Sequence, residues 1–359
     1  MKDITVVIGN YNYARFLREA IESALANASE RVRVLVIDDG STDGSRAIIE
    51  SYGDRLMPVF KENQGQSSVY NLGLELVQTE YVLFLDSDDV LYPGALDAVL
   101  RAFESGEFAK VQFPLDVINE EGARTGVRVP HSTPPRDCGA LLRQGWLYPS
   151  PPASGNAYRV SALRSVFPIP MSTQHRKAAD FFAIYGIALT GAICALDAPF
   201  GGYRVHRKAA DRSSATRGHA SLALGNCENV SEVERSFPWR WETLRFMVRT
   251  RLHEELPARF IDFSFEKNRL CVRLYDAPTL ERWRWLTFES RRYFAALLLN
   301  PFWGPGKKIA ALGLTLSCLV PSRGLNHYVL RYISNPAARA AGGAALDAAD
   351  PHRSAAAGG

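Results

Sequence analysis

The sequence predicts an α/β fold, a mostly parallel sheet covered by helices on both faces and followed by a helical C-terminal region. Three observations predict it. Over the first 118 residues, short apolar runs alternate with segments whose apolar residues recur at helical spacing. Short loops join these segments, in the rhythm of a βαβ chain. Beyond about residue 212 the chain is dominated by Arg, Trp, Phe and Leu in helix-compatible spacing. At 359 residues and 47% apolar composition, the chain exceeds the roughly 100–200 residues usual for one domain, so two structural units are expected.

The apolar run 4–8 reads as the first strand, and Phe16, Leu17, Ala20, Ile21 and Ala24 fall on one face of the helix after it. Residues 32–37 give the second strand. Ser41-Thr42-Asp43 offers an N-cap for a helix near 43–52. Residues 56–60 then read as a strand, 66–77 as a helix and 81–85 as a fourth, buried strand. The stretch 121–157 is rich in Pro, Gly and Arg, with Pro134-Pro135 and Pro149-Ser150-Pro151-Pro152, and reads as loop with little regular structure. A helical pattern resumes near 179–190, a short strand is expected at 193–196, and Tyr203-Arg204-Val205-His206 closes the segment. These features divide the chain into a first domain at 1–211, a basic, aromatic-rich helical region at 212–334, and an Ala/Gly tail at 335–359 expected to stay disordered.

Charge is unevenly spread. Residues 1–100 carry 8 Lys/Arg against 16 Asp/Glu, whereas 204–331 carry 22 against 12. The two halves must therefore face different partners. The basic half suits anionic lipid headgroups or a phosphate-bearing ligand. No zinc-finger spacing or RNA-binding aromatic motif accompanies it, so nucleic acid is not an expected partner. Five widely scattered cysteines, never in a Cys-x-x-Cys pair, suggest neither a disulfide framework nor a zinc site and fit a reducing cytosol. Met1-Lys2-Asp3 leads straight into the run 4–8, which lacks the length and cleavage site of a signal peptide, and a cytoplasmic protein is expected. The apolar stretch 309–320 spans 12 residues, short of the ~20 needed to cross a bilayer, so at most it lies in the interface.

Polar residues that follow strands matter most in such a sheet, because ligands bind where the loops converge at the carboxyl ends. Asn10-Tyr11-Asn12 follows the first strand, Asp38-Asp39-Gly40-Ser41 the second, and Asp86-Ser87-Asp88-Asp89 the fourth. In an extended segment residues i and i+2 project to one side, which aims the carboxylates of Asp86 and Asp88 in one direction. A hard divalent cation, Mg²⁺ or Mn²⁺, takes such a pair and completes its shell with water and phosphate oxygens. Taken alone, each acidic cluster also reads as a turn with an Asp cap, or as a solvated loop before a helix. Two clusters on one rim favour the cation. A Gly-x-Gly-x-x-Gly after the first strand and a Gly-x-x-x-x-Gly-Lys-Ser/Thr loop are both absent, which disfavours a Rossmann dehydrogenase or a P-loop kinase.

The run Val6-Val7-Ile8-Gly9-Asn10-Tyr11-Asn12, then Ile37-Asp38-Asp39-Gly40-Ser41-Thr42-Asp43-Gly44-Ser45, Asn63-Gln64-Gly65-Gln66 and Phe84-Leu85-Asp86-Ser87-Asp88-Asp89, resembles the family 2 glycosyltransferases of GT-A fold. The likeness continues through Gly155-Asn156-Ala157, Asp180 and Tyr203-Arg204-Val205-His206 and covers roughly residues 1–210. It implies a transfer of sugar from a nucleotide-diphosphate donor, UDP- or dTDP-linked, to a hydroxyl of a glycan or lipid-linked acceptor. Nucleotide-sugar contacts would come from Asn10, Tyr11, Asn12, Asp38, Asp39, Asn63, Gly65, Asn71, Asp86 and Arg204. Metal contacts would come from Asp86, Asp88 and His206, and acceptor contacts from Gly155 and Asn156. Asp180, standing in an Ala-Asp pair where the family has Glu-Asp, would be the base, with neighbouring Ala178, Ala179, Phe181 and Phe182 raising its pKa. The family's proline after the first strand is replaced by Gly9.

The resemblance thus implies an inverting, metal-dependent hexosyltransferase in bacterial surface polysaccharide or glycolipid assembly. The basic, aromatic C-terminal region reads most simply as a packed helical subdomain, with peripheral membrane contact as the alternative. The competing reading is a catalytically inactive GT-A binding or scaffold protein, marked by Ala179 and Gly9. A nucleotidyltransferase fits less well, since Asn10-Tyr11-Asn12 is not a Gly-rich, Lys-bearing loop.

Overall fold

The computed structural model describes residues 3–130, 132–172, 176–206 and 230–334, the side chains of 230–235 excepted. The expected boundary near 212 and the tail 335–359 lie outside them.

Strands β1 (Ile4–Asn10), β2 (Val32–Asp38), β3 (Met57–Phe60) and β4 (Tyr81–Asp86) pair in parallel in the order β4-β1-β2-β3. Beyond β4 the sheet continues through β9 (Asn156–Arg159), antiparallel to both its neighbours, to β6 (Phe108–Gln112) and β10 (Ala192–Ala195). A second sheet runs in the order β5 (Val90–Leu91), β11 (Gly201–Arg204), β7 (Leu115–Ile118), β8 (Arg124–Val129). The fold is therefore the α/β class the alternation predicts, with a mostly parallel sheet flanked by helices.

Residues Ile4, Val6, Val7 and Ile8 are all buried, so β1 is covered on both faces. Helix α1 (Ala14–Ala26) lays Phe16, Leu17, Ala20, Ile21 and Ala24 on the sheet, the face read from the sequence. Each large side chain so buried contributes about 1.5–3 kcal/mol. The remaining helices of this part are α2 (Ser45–Glu50), α3 (Gln66–Leu76), α4 (Ala95–Glu104), α5 (Cys138–Arg143), α6 (Val160–Val166) and α7 (Ala179–Gly186). Gly9 lies within β1, where a Cβ would come within 2.8 Å of Val69 on α3. The close approach of strand and helix leaves little room for a side chain at this position.

The stretch 121–157 holds more regular structure than its composition suggests. It holds β8 and α5, a 3-10 turn at Ala153–Gly155, and the start of β9. Strand β8 is held by antiparallel pairing with β7, and α5 is capped by Asp137, whose side chain accepts from Ala140 N.

The described residues group into two compact units. The first takes 3–124, 128–204 and 238–260; the second takes 125–127, 205–206, 230–237 and 261–334. Helix α8 (Val230–Arg251) changes unit at Pro238, where the missing N–H removes a ladder hydrogen bond. Its later part belongs to the first unit, where Trp241, Leu244, Met247 and Val248 are buried and Trp241 Nε1 donates to Pro257 O. In the second unit, α9 (Phe263–Leu274), α10 (Thr279–Arg284), α11 (Arg291–Leu298), α12 (Pro305–Ser317) and α13 (Arg323–Ser334) surround a core of Leu270, Leu274, Tyr293, Leu297 and Leu330. No described helix is long and apolar enough to cross a membrane.

Candidate active site

The strand register decides whether the acidic clusters share an edge. Asn10 pairs with Asp38, and Gly9 pairs with Ile37 on one side and Asp86 on the other. The loops after β1, β2 and β4 therefore leave from one end of the sheet.

On the β2 side, the Asp38 carboxylate accepts from Asn10 Nδ2 at 2.7 Å, Ser41 Oγ at 2.6 Å and Ser41 N at 3.0 Å. Asn12, in the left-handed region at φ 58°, accepts from Thr42 N through Oδ1 and donates its own N–H to Ser41 Oγ. Asn10 and Asn12 thus pin the first loop to the second. Tyr11 between them is 46% exposed. Asp39 is buried and binds Gln64 N at 3.0 Å, Gly65 N at 2.6 Å and the Lys61 ammonium. Gly65 sits at φ +90°, and a Cβ there would lie 2.5 Å from Arg176 O. Glycine is required on both counts. Asn63 is held by Arg176 through both its backbone and side-chain oxygens. Asn71 stands apart: its amide is spent on the backbone of Ile169, donating to the carbonyl and accepting from the N–H, which makes it a brace between α3 and that segment.

After β4, the carboxylates crowd together. Burial first, then the charges of Asp88 and Asp180, push Asp86 up to about 8, against a hydrogen bond from Gln66 that favours its charged form. Asp89 is raised well above the usual carboxylate range by burial, then by Asp88 and Asp86. Tyr13 faces the same cluster and is pushed up to about 12 by burial and by Asp88, Asp86 and Asp89. Asp89 is fully buried and clamped: Ser154 Oγ donates to Oδ2 at 2.6 Å, and Arg204 N donates to Oδ1 at 2.8 Å. The same Ser154 hydroxyl accepts from Asp86 N.

Arg204 departs from the sequence expectation. Its guanidinium is buried and donates to Asp88 O from Nε, to the carbonyls of Asn119 and Glu120, and to Glu19 Oε2 at 2.6 Å. It grips the backbone of the acidic loop from behind and has no fork left for a phosphate. Gly155 and Asn156 are also taken up by internal contacts. The Asn156 side chain is fully buried, donates to the carbonyls of Pro151 and Pro152, and accepts from Lys110 and Ser150; a Cβ on Gly155 would press on Pro151. These residues shape the loop that carries Ser154 and offer no side chain to an acceptor.

Asp180 lies at the start of α7, after Ala178 in the left-handed region at φ 71°. Burial raises its pKa; Arg240 of α8 and the N–H of Phe181 act in the opposite direction. Gln66 links this helix to the acidic strand end, accepting from Ala179 N at 3.2 Å while hydrogen-bonding Asp86. His206, two residues beyond β11, falls in the second unit. Sequence reasoning missed Ser154, Gln66, Lys61, Glu19, Tyr13 and Arg240. Ser154 stands beside a motif position and Gln66 and Asp89 within quoted motifs, but nothing in the sequence pairs Glu19 with Arg204 or Arg240 with Asp180.

Among the described residues, no three or more His, Cys, Asp or Glu gather into a set that would hold a metal ion unaided. The donors present still fit one type of ion. Asp86 and Asp88 are close enough to raise a pKa, and a hard cation that takes one or two carboxylates and otherwise water and phosphate oxygens suits such a pair.

Residues 5–167 match the family model for glycosyl transferase family 2. An uncharacterized glycosyltransferase of Nostoc sp. is 36% identical over 213 residues, 56% of this chain and 65% of that protein. One from Rickettsia prowazekii is 38% identical over 94 residues, 26% of this chain and 30% of its own length. The chain thus spans less than two thirds of either relative. Among solved structures, residues 1–349 of S. aureus TarS in complex with UDP-GlcNAc align at a TM-score of 0.50 and 17% identity, covering 95% of this chain and 92% of that one, which is a likeness of fold. The stretch similar to glycosyl transferase family 2 thus lies across the parallel sheet and its acidic loops, in a fold that is GT-A-like.

Proposed function

We propose that the chain is an inverting, metal-dependent glycosyltransferase. It moves a sugar from a UDP- or dTDP-linked donor to a hydroxyl of a glycan or lipid-linked acceptor, in bacterial surface polysaccharide or glycolipid assembly at the cytoplasmic face of the plasma membrane. The observation that carries this reading is the meeting of Asp86, Asp88 and Asp180 near the edge from which Asp38 and Asp39 also rise.

In this reading Asp38 and Asp39, with the exposed Tyr11, receive the nucleoside, and Asp86 with Asp88 receives the diphosphate end together with Mg²⁺ or Mn²⁺. A divalent cation there would neutralise the charge of the departing diphosphate. Asp180 takes the proton of the acceptor hydroxyl onto its carboxylate as that oxygen bonds to the anomeric carbon. The carbon–phosphate-oxygen bond breaks in the same displacement, and its electron pair leaves with the nucleoside diphosphate. One displacement inverts the anomeric centre and requires no enzymic nucleophile. Arg204, Asp89 and Ser154 act as positioning residues, fixing the backbone from which Asp86 and Asp88 project.

Replacing Asp180 by Asn keeps size and hydrogen-bonding capacity but removes the base. Turnover is expected to fall by about 10²–10⁴-fold, with calorimetric affinity for the nucleotide nearly unchanged. Equal turnover in Asp180→Asn removes the residue from the mechanism. Absence of any donor hydrolysis by the wild-type protein with Mn²⁺ present favours the scaffold reading instead.

A further inference from the structure

Helix α12 is apolar on two faces, and the fold uses only one. Ala311, Leu312 and Leu314 pack against the core of the second unit, and Thr315 is buried within it. On the opposite side Ile309 is 69% exposed, Leu316 48%, and Val320, just past the helix end, 45%, with exposed Gly313 between them. The steps of 4, 3 and 4 residues from 309 to 320 put these positions in one stripe along the helix. No charged residue interrupts 309–320. A soluble surface helix normally places charge where this one places Ile and Leu.

The surroundings identify what covers the stripe. From 290 to 334 the chain contains Arg291, Arg292, Lys307, Lys308, Arg323 and Arg331, and no Asp or Glu. Arg292 is tied to Glu266 and Arg323 to Asp276. Lys307 and Lys308 stand in the first turn of α12, where the positive end of the helix dipole adds to them, and Lys307 lies 4.5 Å from the Trp303 ring. A second copy of the same face would set this positive end against another or, antiparallel, against a helix end whose Cys318 and Val320 carbonyls already hold the Arg282 guanidinium. The tail 335–359 offers a single large apolar side chain, Leu346, and as many acidic as basic residues, so it lacks a stripe to match this one. An anionic bilayer surface supplies both complements at once, acyl chains for Ile309, Leu316 and Val320 and negative headgroups for Lys307 and Lys308, with the amphipathic indole of Trp303 at the boundary.

We infer that α12 docks flat on an anionic lipid surface, its 309–316–320 stripe entering the headgroup–acyl boundary and its lysine-bearing first turn meeting the headgroups. At 13 residues the helix is about 20 Å long, enough to lie in the interface and too short to span it. This inference does not depend on sugar transfer, and its test reads lipid binding alone.

The 359-residue chain is sedimented with vesicles of phosphatidylcholine, and with vesicles in which about a quarter of the lipid is phosphatidylglycerol. It is expected to pellet with the anionic vesicles, to stay in solution with the neutral ones, and to be released by high salt. Ile309→Glu with Leu316→Glu is expected to weaken binding at least about tenfold. Both positions are exposed, so an unchanged melting temperature checks that the fold is retained. Lys307→Gln with Lys308→Gln should weaken anionic binding and flatten its salt dependence. A wild-type protein that ignores anionic vesicles overturns the inference, as does a double-Glu variant that pellets like wild type. A concentration-dependent dimer in sedimentation velocity that the Glu substitutions abolish also overturns it, because the occupant is then a second copy.

Discussion

At the scale of single residues, the acidic edge is a balance between burial and repulsion, and the residues behind it keep it in place. Ser154 supplies one hydroxyl to two tasks, donating to Asp89 and accepting from Asp86 N. Ser154→Ala leaves a buried carboxylate oxygen and a backbone N–H without that partner. The expected cost is about 1–3 kcal/mol in denaturant unfolding, with KM for the donor rising more than kcat falls. Arg204→Lys keeps the charge but cannot reach four oxygens on four residues at once, and should act in the same direction. Asp180 gives a pH prediction. In the proposed mechanism its active form is the carboxylate, and its pKa is raised by burial, so kcat/KM should fall as pH drops through that raised value, above the range where an exposed aspartate titrates. A profile flat down to the ordinary aspartate range would contradict the base assignment. The acidic motifs were legible in the sequence because each follows a strand directly. Arg204 was legible only as a motif position. Its four side-chain partners, Glu19, Asp88, Asn119 and Glu120, lie 84 to 185 residues away and are gathered by the fold, so its neighbours in sequence say nothing of its role.

At the scale of elements, the sequence reading succeeds where strands and helices are long and periodic, as in β1, α1, β2 and β4. It fails at β8, β9 and α5. Strand β9 is four residues and α5 six, too short for either period to register, and the prolines around them dominate the local signal. What fixes β9 is non-local: it fills the seam between β4 and β6, and Lys110 of β6 reaches across to Asn156 at 2.9 Å and to Ser150 at 3.1 Å. Lys110 is fully buried, and burial lowers its pKa to about 7. Between that value and the ordinary lysine value the unfolded chain holds a proton that the folded chain has released, so stability should rise with pH across this window and lie at its lower level below pH 7. Thermal melts at a series of pH values check this. The wild-type curve should climb above neutrality, and Lys110→Met should remove that component. Identical pH dependence in both proteins would show that Lys110 stays protonated in the fold.

At the scale of the whole molecule, charge and fold divide along the chain. The acid-rich N-terminal segment builds the parallel sheet and its rim, and the basic segment builds most of the second unit and its exposed apolar helix. The sequence showed this division as a change of charge and composition. The Arg, Trp and Leu pattern also showed that the second part is helical, but not which residues stay exposed, since α12 reads as equally apolar on both faces. Nor did composition separate residues 238–260 from those around them; the buried Trp241, Leu244 and Val248 assign that segment to the first unit.

The central claim is that Asp86 and Asp88 bind a nucleoside diphosphate through a divalent ion on the edge they share with Asp38 and Asp39. Calorimetric titration of UDP and dTDP, with Mn²⁺ and with chelator, into the wild-type protein and Asp88→Asn tests it most directly. The account predicts binding with Mn²⁺ that weakens at least about tenfold when either the ion or the Asp88 carboxylate is removed, since losing a buried charge partner costs more than ~1.4 kcal/mol. Equal affinity under all of these conditions would contradict it.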